Sequence, residues 1–173
     1  MESKVVLVGK IEFEPENITK KHNVQSPWKR IAMVKLDGDV CEYYSWFIER
    51  RFDIKLNKPI RGPHVSFIND SLRDFKRNED KTNEEINMLW NNVKNKWNGV
   101  KIPIMLDLNP KFNDKHCWFN IPHEYRGKLQ SIRDELGLGY PYYGLHLSLG
   151  YVNDKQLPHL KYIHSLIKSG LIK

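Results

Sequence analysis

Two segments of this chain read the same way. Gly62-Pro63-His64-Val65-Ser66-Phe67 and Gly144-Leu145-His146-Leu147-Ser148-Leu149 share the form G-x-H-h-S-h, where h is apolar. Successive side chains of a strand point to opposite faces, so each copy sends its histidine and serine one way and its apolar residues the other. A chain with two such strands must bury Val65, Phe67, Leu147 and Leu149, and leave His64, Ser66, His146 and Ser148 on polar-facing surfaces.

Those four polar groups are what metal-free cleavage of a phosphodiester requires. One imidazole takes a proton from the attacking hydroxyl and another gives one to the departing oxygen. Histidine titrates near pH 6.5, so both protonation states are accessible at neutrality. The serine hydroxyls can donate hydrogen bonds to phosphate oxygens as the pentavalent transition state forms. Two strands facing each other across a cleft supply all four groups, related by a pseudo-twofold. A single H-x-S among seven histidines would mean little, since a lone strand histidine is usually structural. Two copies with the same glycine and the same apolar framing are hard to assign to coincidence.

The rest of the chain alternates between two periodicities. Runs with period two predict strands at Lys4 to Phe13, Lys29 to Leu36, His64 to Ile68, Val100 to Leu108, His116 to Ile121 and Gly144 to Val152. Four stretches have helical spacing. Asp39 with Glu42, and Thr82 with Glu85, read as capping boxes, the second opening a stripe of Ile86, Leu89, Trp90, Val93 and Trp97. Pro122 is expected in the first turn of a helix carrying Tyr125, Leu129, Ile132 and Leu136, which Gly137 ends. A last helix follows Asp154 with Leu157, Leu160, Ile163 and Ile167. Asn69 to Asn83 is dense in charge and reads as a solvated loop. Strands interleaved with helices, without glycine-rich βα turns, predict an α+β fold in one domain spanning 1–173.

Composition sets the class of partner. A hydrophobic fraction of 40% excludes a disordered polymer, and a net charge of +7 favours polyanions such as nucleotides or nucleic acid. No apolar run reaches bilayer length, and Val5 to Val8 is too short for a signal peptide. Cys41 and Cys117 form no CxxC pair, which predicts reduced thiols in a cytoplasmic protein. No HExxH or carboxylate cluster appears, and His159 and His164 fall on different helical faces, so no metal and no cofactor are expected.

The paired strands resemble the 2H phosphoesterase superfamily, named for its two H-x-[ST] motifs, and the resemblance spans nearly the whole chain. It implies a bilobal fold, with two pseudo-symmetric antiparallel sheets flanking a central cleft and helices outside. More narrowly, Ile18-Thr19-Lys20-Lys21-His22 followed by Ser26-Pro27-Trp28-Lys29-Arg30 is similar to the N-terminal part of phage anti-CBASS proteins. Those proteins destroy the cyclic di- and trinucleotide signals of antiphage immunity. The resemblance therefore implies catalysis by His64, Ser66, His146 and Ser148 on such cyclic nucleotides, in the host cytoplasm if the origin is a phage. Anti-CBASS proteins often carry threonine where Ser66 and Ser148 stand here, and either hydroxyl donates the same bond.

Alternation also nominates substrate contacts. Cys117, Phe119 and Ile121 belong to the core, which turns His116, Trp118 and Asn120 the other way. Trp118 there is suited to base stacking, worth about 1–3 kcal/mol per base. Tyr142 shares parity with His146, whereas Tyr143 and Tyr151 have core parity. Trp28, Lys29, Arg30 and Arg61 are further candidates for base and phosphate contacts. Two rival functions remain open: an RNA-processing 2H enzyme acting on RNA ends or 2′,3′-cyclic phosphates, and a non-catalytic nucleotide sponge or RNA-binding module. Neither membrane nor an obligate protein partner is expected.

Overall fold

The computed structural model describes residues 4–15, 30–59, 61–69, 80–113, 115–141 and 144–172. Among them are seven strands: β1 (Lys4–Phe13), β2 (Ala32–Leu36), β3 (His64–Ile68), β4 (Lys101–Asp107), β5 (Lys111–Phe112), β6 (His116–Asn120) and β7 (His146–Tyr151). The helices are α1 (Val40–Phe52), α2 (Asn83–Trp97), α3 (Gly127–Glu135) and α4 (Leu157–Lys168). This is the expected α+β class. All strands belong to one antiparallel sheet in the order β4-β1-β2-β3-β7-β6-β5, rather than to two separate sheets.

That sheet has to curl. Laid flat, its outer strands would sit about 29 Å apart at ~4.8 Å per strand. Those strands are β4 and β5, and only Leu108-Asn109-Pro110 joins Asp107 to Lys111. A fully extended connection of that length spans at most about 14 Å. At its middle the sheet is held by a single register pair, Val65 with Leu147, so β3 and β7 form a seam between two halves.

The helices bury one face of the sheet. On the first half, Trp90 of α2 packs edge-on against Phe13, with centroids 5.0 Å apart, and α3 buries Leu129 and Ile132. On the second half, Tyr44 of α1 meets Phe119 at 4.8 Å, and α4 buries Leu160 and Ile163. Val65, Phe67, Leu147 and Leu149 are all sealed in this core, as alternation requires. The other face carries the even-numbered residues of β1, with Val6 and Val8 exposed. Among the described residues, no helix is long and apolar enough to cross a membrane.

Local signals were obeyed unequally. The capping box at Thr82 forms in full, its side chain accepting from the Glu85 amide while the Glu85 carboxylate accepts from the Thr82 amide. The one expected at Asp39 does not. Asp39 has φ −93° and ψ 28°, not the extended backbone that aims an N-cap side chain at the helix, and Glu42 instead pairs with Lys58. Pro122 precedes a 3-10 turn, His123–Tyr125, and the α-helix begins only at Gly127. The two-residue strand β5 had no readable period.

Candidate active site

The resemblance between the two motif copies begins earlier than the glycine. Pro59 lies three residues before Gly62, and Pro141 three before Gly144. In each copy the glycine amide donates to that proline's carbonyl at 3.2 Å, closing a turn. The glycines have φ of +67° and +69°, a region that costs an ordinary L-residue about 1–2 kcal/mol. This conformation swings the glycine carbonyl toward the histidine two residues on. Nδ1 of His64 donates to Gly62 O at 2.9 Å, and the Gly144 backbone likewise hydrogen-bonds the His146 ring. With Nδ1 of His64 so engaged, Nε2 is its nitrogen left for chemistry. The prolines were legible from the start; only the hydrogen bonds show what they do.

Register then assembles the four polar groups. Val65 is paired with Leu147, so the antiparallel ladder sets His64 opposite Ser148 and Ser66 opposite His146, all on the open face. Direct partners in such a ladder lie about 5 Å apart at Cβ and diagonal neighbours about 7–8 Å. The histidines occupy one diagonal and the serines the other. All four are half-buried.

Each copy also ends in a β-bulge. Ala32 pairs with Ile68 and Met33 with Ser66, so Phe67 is the extra residue of β3. Cys117 pairs with Gly150 and Trp118 with Ser148, so Leu149 is the extra residue of β7. A bulge leaves a carbonyl outside the ladder and re-aims nearby side chains. Side chains from the covering helices satisfy both. Nη1 of Arg133 in α3 donates to Phe67 O, which explains an arginine only 1% exposed, and Oγ of Ser45 in α1 donates to Leu149 O at 3.3 Å. Sγ of Cys41 donates to Ser148 O at 3.4 Å, and burial pushes that thiol's pKa up to about 11. Cys117 is likewise buried and its thiol is shifted upward by burial.

Desolvation holds both histidines below the ordinary imidazole value. For His64 the glycine carbonyl opposes it and the positive charge of Arg61 adds to it. For His146 the opposing bond is to Gly144, while His64 and His116 both add to the lowering. The histidines thus sense one another across the seam.

No family model, curated protein or solved structure matches this chain.

Trp118 is brought to that site. Its ring lies 6.1 Å from the His146 imidazole, and its Nε1 donates to Asn120 Oδ1 at 2.9 Å, which fixes the indole on the open face. His116 and Asn120 share that face, as alternation predicted. Arg30 is not brought there. It is 2% exposed on the helix-covered side, donating to Asn87 of α2 and lying 5.8 Å from the Trp90 ring, so it is a core residue and not a substrate contact. Trp28, Lys29, Tyr142, Tyr143 and His22 lie outside the described residues. Tyr151, expected in the core, is exposed, because the Leu149 bulge shifts the alternation by one and turns Val152 inward. His159 donates from Nε2 to Phe52 O at 2.8 Å and ties α4 to α1.

One residue escaped the sequence reading altogether. Lys35 is the direct partner of His64 across β2 and β3, and exposed on the same face. Nothing in its local sequence marks it; only register does. Among the described residues, no three His, Cys, Asp or Glu side chains converge as a metal site would need. An apolar pocket of about 600 Å³, lined by Tyr43, Phe47, Arg51, Phe52 and Phe119 among others, opens between α1 and the β4–β5 connection, on the helix side of the sheet.

Proposed function

We propose that this chain is a metal-independent phosphodiesterase that cleaves 3′–5′ bonds of cyclic di- and trinucleotides, an anti-CBASS activity of a 2H phosphoesterase. The observation that carries the reading is the duplication of a complete unit: a turn, a positive-φ glycine, a histidine hydrogen-bonded to that glycine's backbone and a serine, repeated on either side of the seam. A single structural histidine has no need of a twofold-related copy. In this reading the two halves of the sheet, each with its own helix pair, are the two lobes of a 2H fold, and the seam is the floor of its cleft.

The chemistry follows from the free Nε2 atoms. The neutral imidazole accepts the ribose 2′-hydroxyl proton as that oxygen attacks phosphorus. The protonated imidazole donates from Nε2 to the leaving 5′-oxygen, giving a 2′,3′-cyclic phosphate, which water opens with the roles reversed. Ser66 and Ser148 donate to the non-bridging oxygens, and Trp118 stacks on a base beside His146.

The test is incubation with 3′,3′-cyclic GMP-AMP in excess EDTA, with products separated by chromatography. Linear products from the native protein, lost in His64→Ala and His146→Ala variants that remain folded, are the expected result. Intact ligand retained by the protein would make it a sponge and end the catalytic reading.

A second substrate is favoured by one observation. Lys101 pairs with Lys10, Lys10 with Lys35, and Lys35 with His64, a row of three exposed cations leading across four strands to the site. Like charges placed directly opposite one another are unfavourable in a sheet, and a longer polyanion such as linear RNA would offset them. Turnover of RNA in place of the cyclic dinucleotide would select that reading.

A further inference from the structure

The two halves of the site differ at one position beside the motif. The residue before the glycine is Arg61 in the first copy and Tyr143 in the second. Among the described residues, Nε and Nη2 of Arg61 are both shielded from solvent and meet no acceptor. These two atoms form one edge of the guanidinium, whose parallel N–H bonds match two oxygens of a single phosphate or carboxylate. Burying such an edge unpaired is costly, and burial does lower the proton affinity of this guanidinium. Its charge is close enough to His64 to disfavour the imidazolium there.

We propose that Arg61 forms an oxyanion subsite beside His64, which takes two non-bridging oxygens of a phosphate through Nε and Nη2. An anion paired with this edge makes a pseudo-symmetric site asymmetric, because phosphate is drawn to the His64 side. This deepens the proposed function by locating the phosphate, and it rests on reading the open face as a phosphate site, not on turnover.

Inorganic phosphate is the probe, with binding followed by calorimetry and by thermal melting of the full chain. The native protein should bind phosphate and melt higher in its presence. Arg61→Gln should weaken binding by about tenfold or more, the loss expected for charged hydrogen bonds, and should abolish the rise in melting temperature. Arg61→Lys should not restore it, since an ammonium has no fork. In phosphate-free buffer Arg61→Gln should melt no lower than the native chain, because among the described residues Nε and Nη2 make no hydrogen bond to lose. Unchanged phosphate affinity in Arg61→Gln, absence of binding by the native chain, or a marked drop in melting temperature without phosphate would each overturn the proposal. Phosphate held through Arg61 without any cleavage of cyclic GMP-AMP would leave the subsite standing and remove the phosphodiesterase reading. Cleavage at an unaltered kcat/KM in Arg61→Gln would do the reverse.

Discussion

A histidine pair works as acid and base only when it carries one proton between its two members. Burial, Arg61 and His116 all hold His64 and His146 below the ordinary value near 6.5. With each group shifted downward, the singly protonated pair is favoured toward the acid side of that value. Its share therefore falls as pH rises, and kcat/KM should decline steadily between about pH 6.5 and 8. A pH–rate profile that is flat or rising over that interval would contradict the assignment. The same shifts bear on stability. Between the lowered folded midpoints and about 6.5 the unfolded chain binds more protons than the folded one, so stability rises with pH through that window and is lost as pH falls. Gly62 is the other residue whose role is local. A methyl group there meets nothing within 4 Å among the described residues, so Gly62→Ala should destabilise through its φ of +67°, by about 1–2 kcal/mol in denaturant unfolding. Its effect on turnover should be larger than that, because the Gly62 carbonyl orients His64.

At the scale of elements, the two caps that look alike in sequence part company. Thr82→Ala removes a formed capping box and should cost about 1 kcal/mol, whereas Asp39→Ala removes no side-chain cap bond and should be close to neutral. Urea unfolding of the two variants side by side makes the comparison. The bulges offer a sharper case. Arg133→Met keeps the apolar stem but leaves Phe67 O without this donor, and Arg133 also donates to Gly139 O at 2.8 Å. An unsatisfied buried carbonyl costs about 1–3 kcal/mol. Because the bulge follows Ser66 directly, activity should fall by more than the melting temperature implies, whereas Ser45→Ala, at an exchange of one weaker bond, should do less on both counts.

The whole molecule hangs together at its seam. Only one register pair joins β3 to β7, yet Val65 and Leu147 on either side are fully buried in a core that is continuous across both halves. Leu147→Ala should therefore cost about 2–5 kcal/mol, as cavity formation in a packed core does. Unfolding should remain a single cooperative transition seen alike by far-UV circular dichroism and tryptophan fluorescence. Two separated transitions would mean that the halves are independent units, contrary to the shared core. The helix exchange argues the same way: α1 follows β2 in the chain but packs on β7, and α3 follows β6 but reaches β3.

Local patterning was enough to determine a good deal. Among the described residues, period two located six of the seven strands and helical spacing located the four α-helices, and the duplicated motif already put His64, Ser66, His146 and Ser148 on one kind of surface with Val65, Phe67, Leu147 and Leu149 on the other. Such features depend on residues within a few positions of one another, where side-chain direction follows from backbone geometry alone. Pairing between distant segments decided the remainder. It placed His64 opposite Ser148 and Lys35 beside His64, drew Arg30 into the core, inserted the bulge that turns Tyr151 outward, and left the inner edge of Arg61 without an acceptor among the described residues. None of these is a property of a segment. Each arises from which strands become neighbours, and that choice is made by burying the whole apolar set at once.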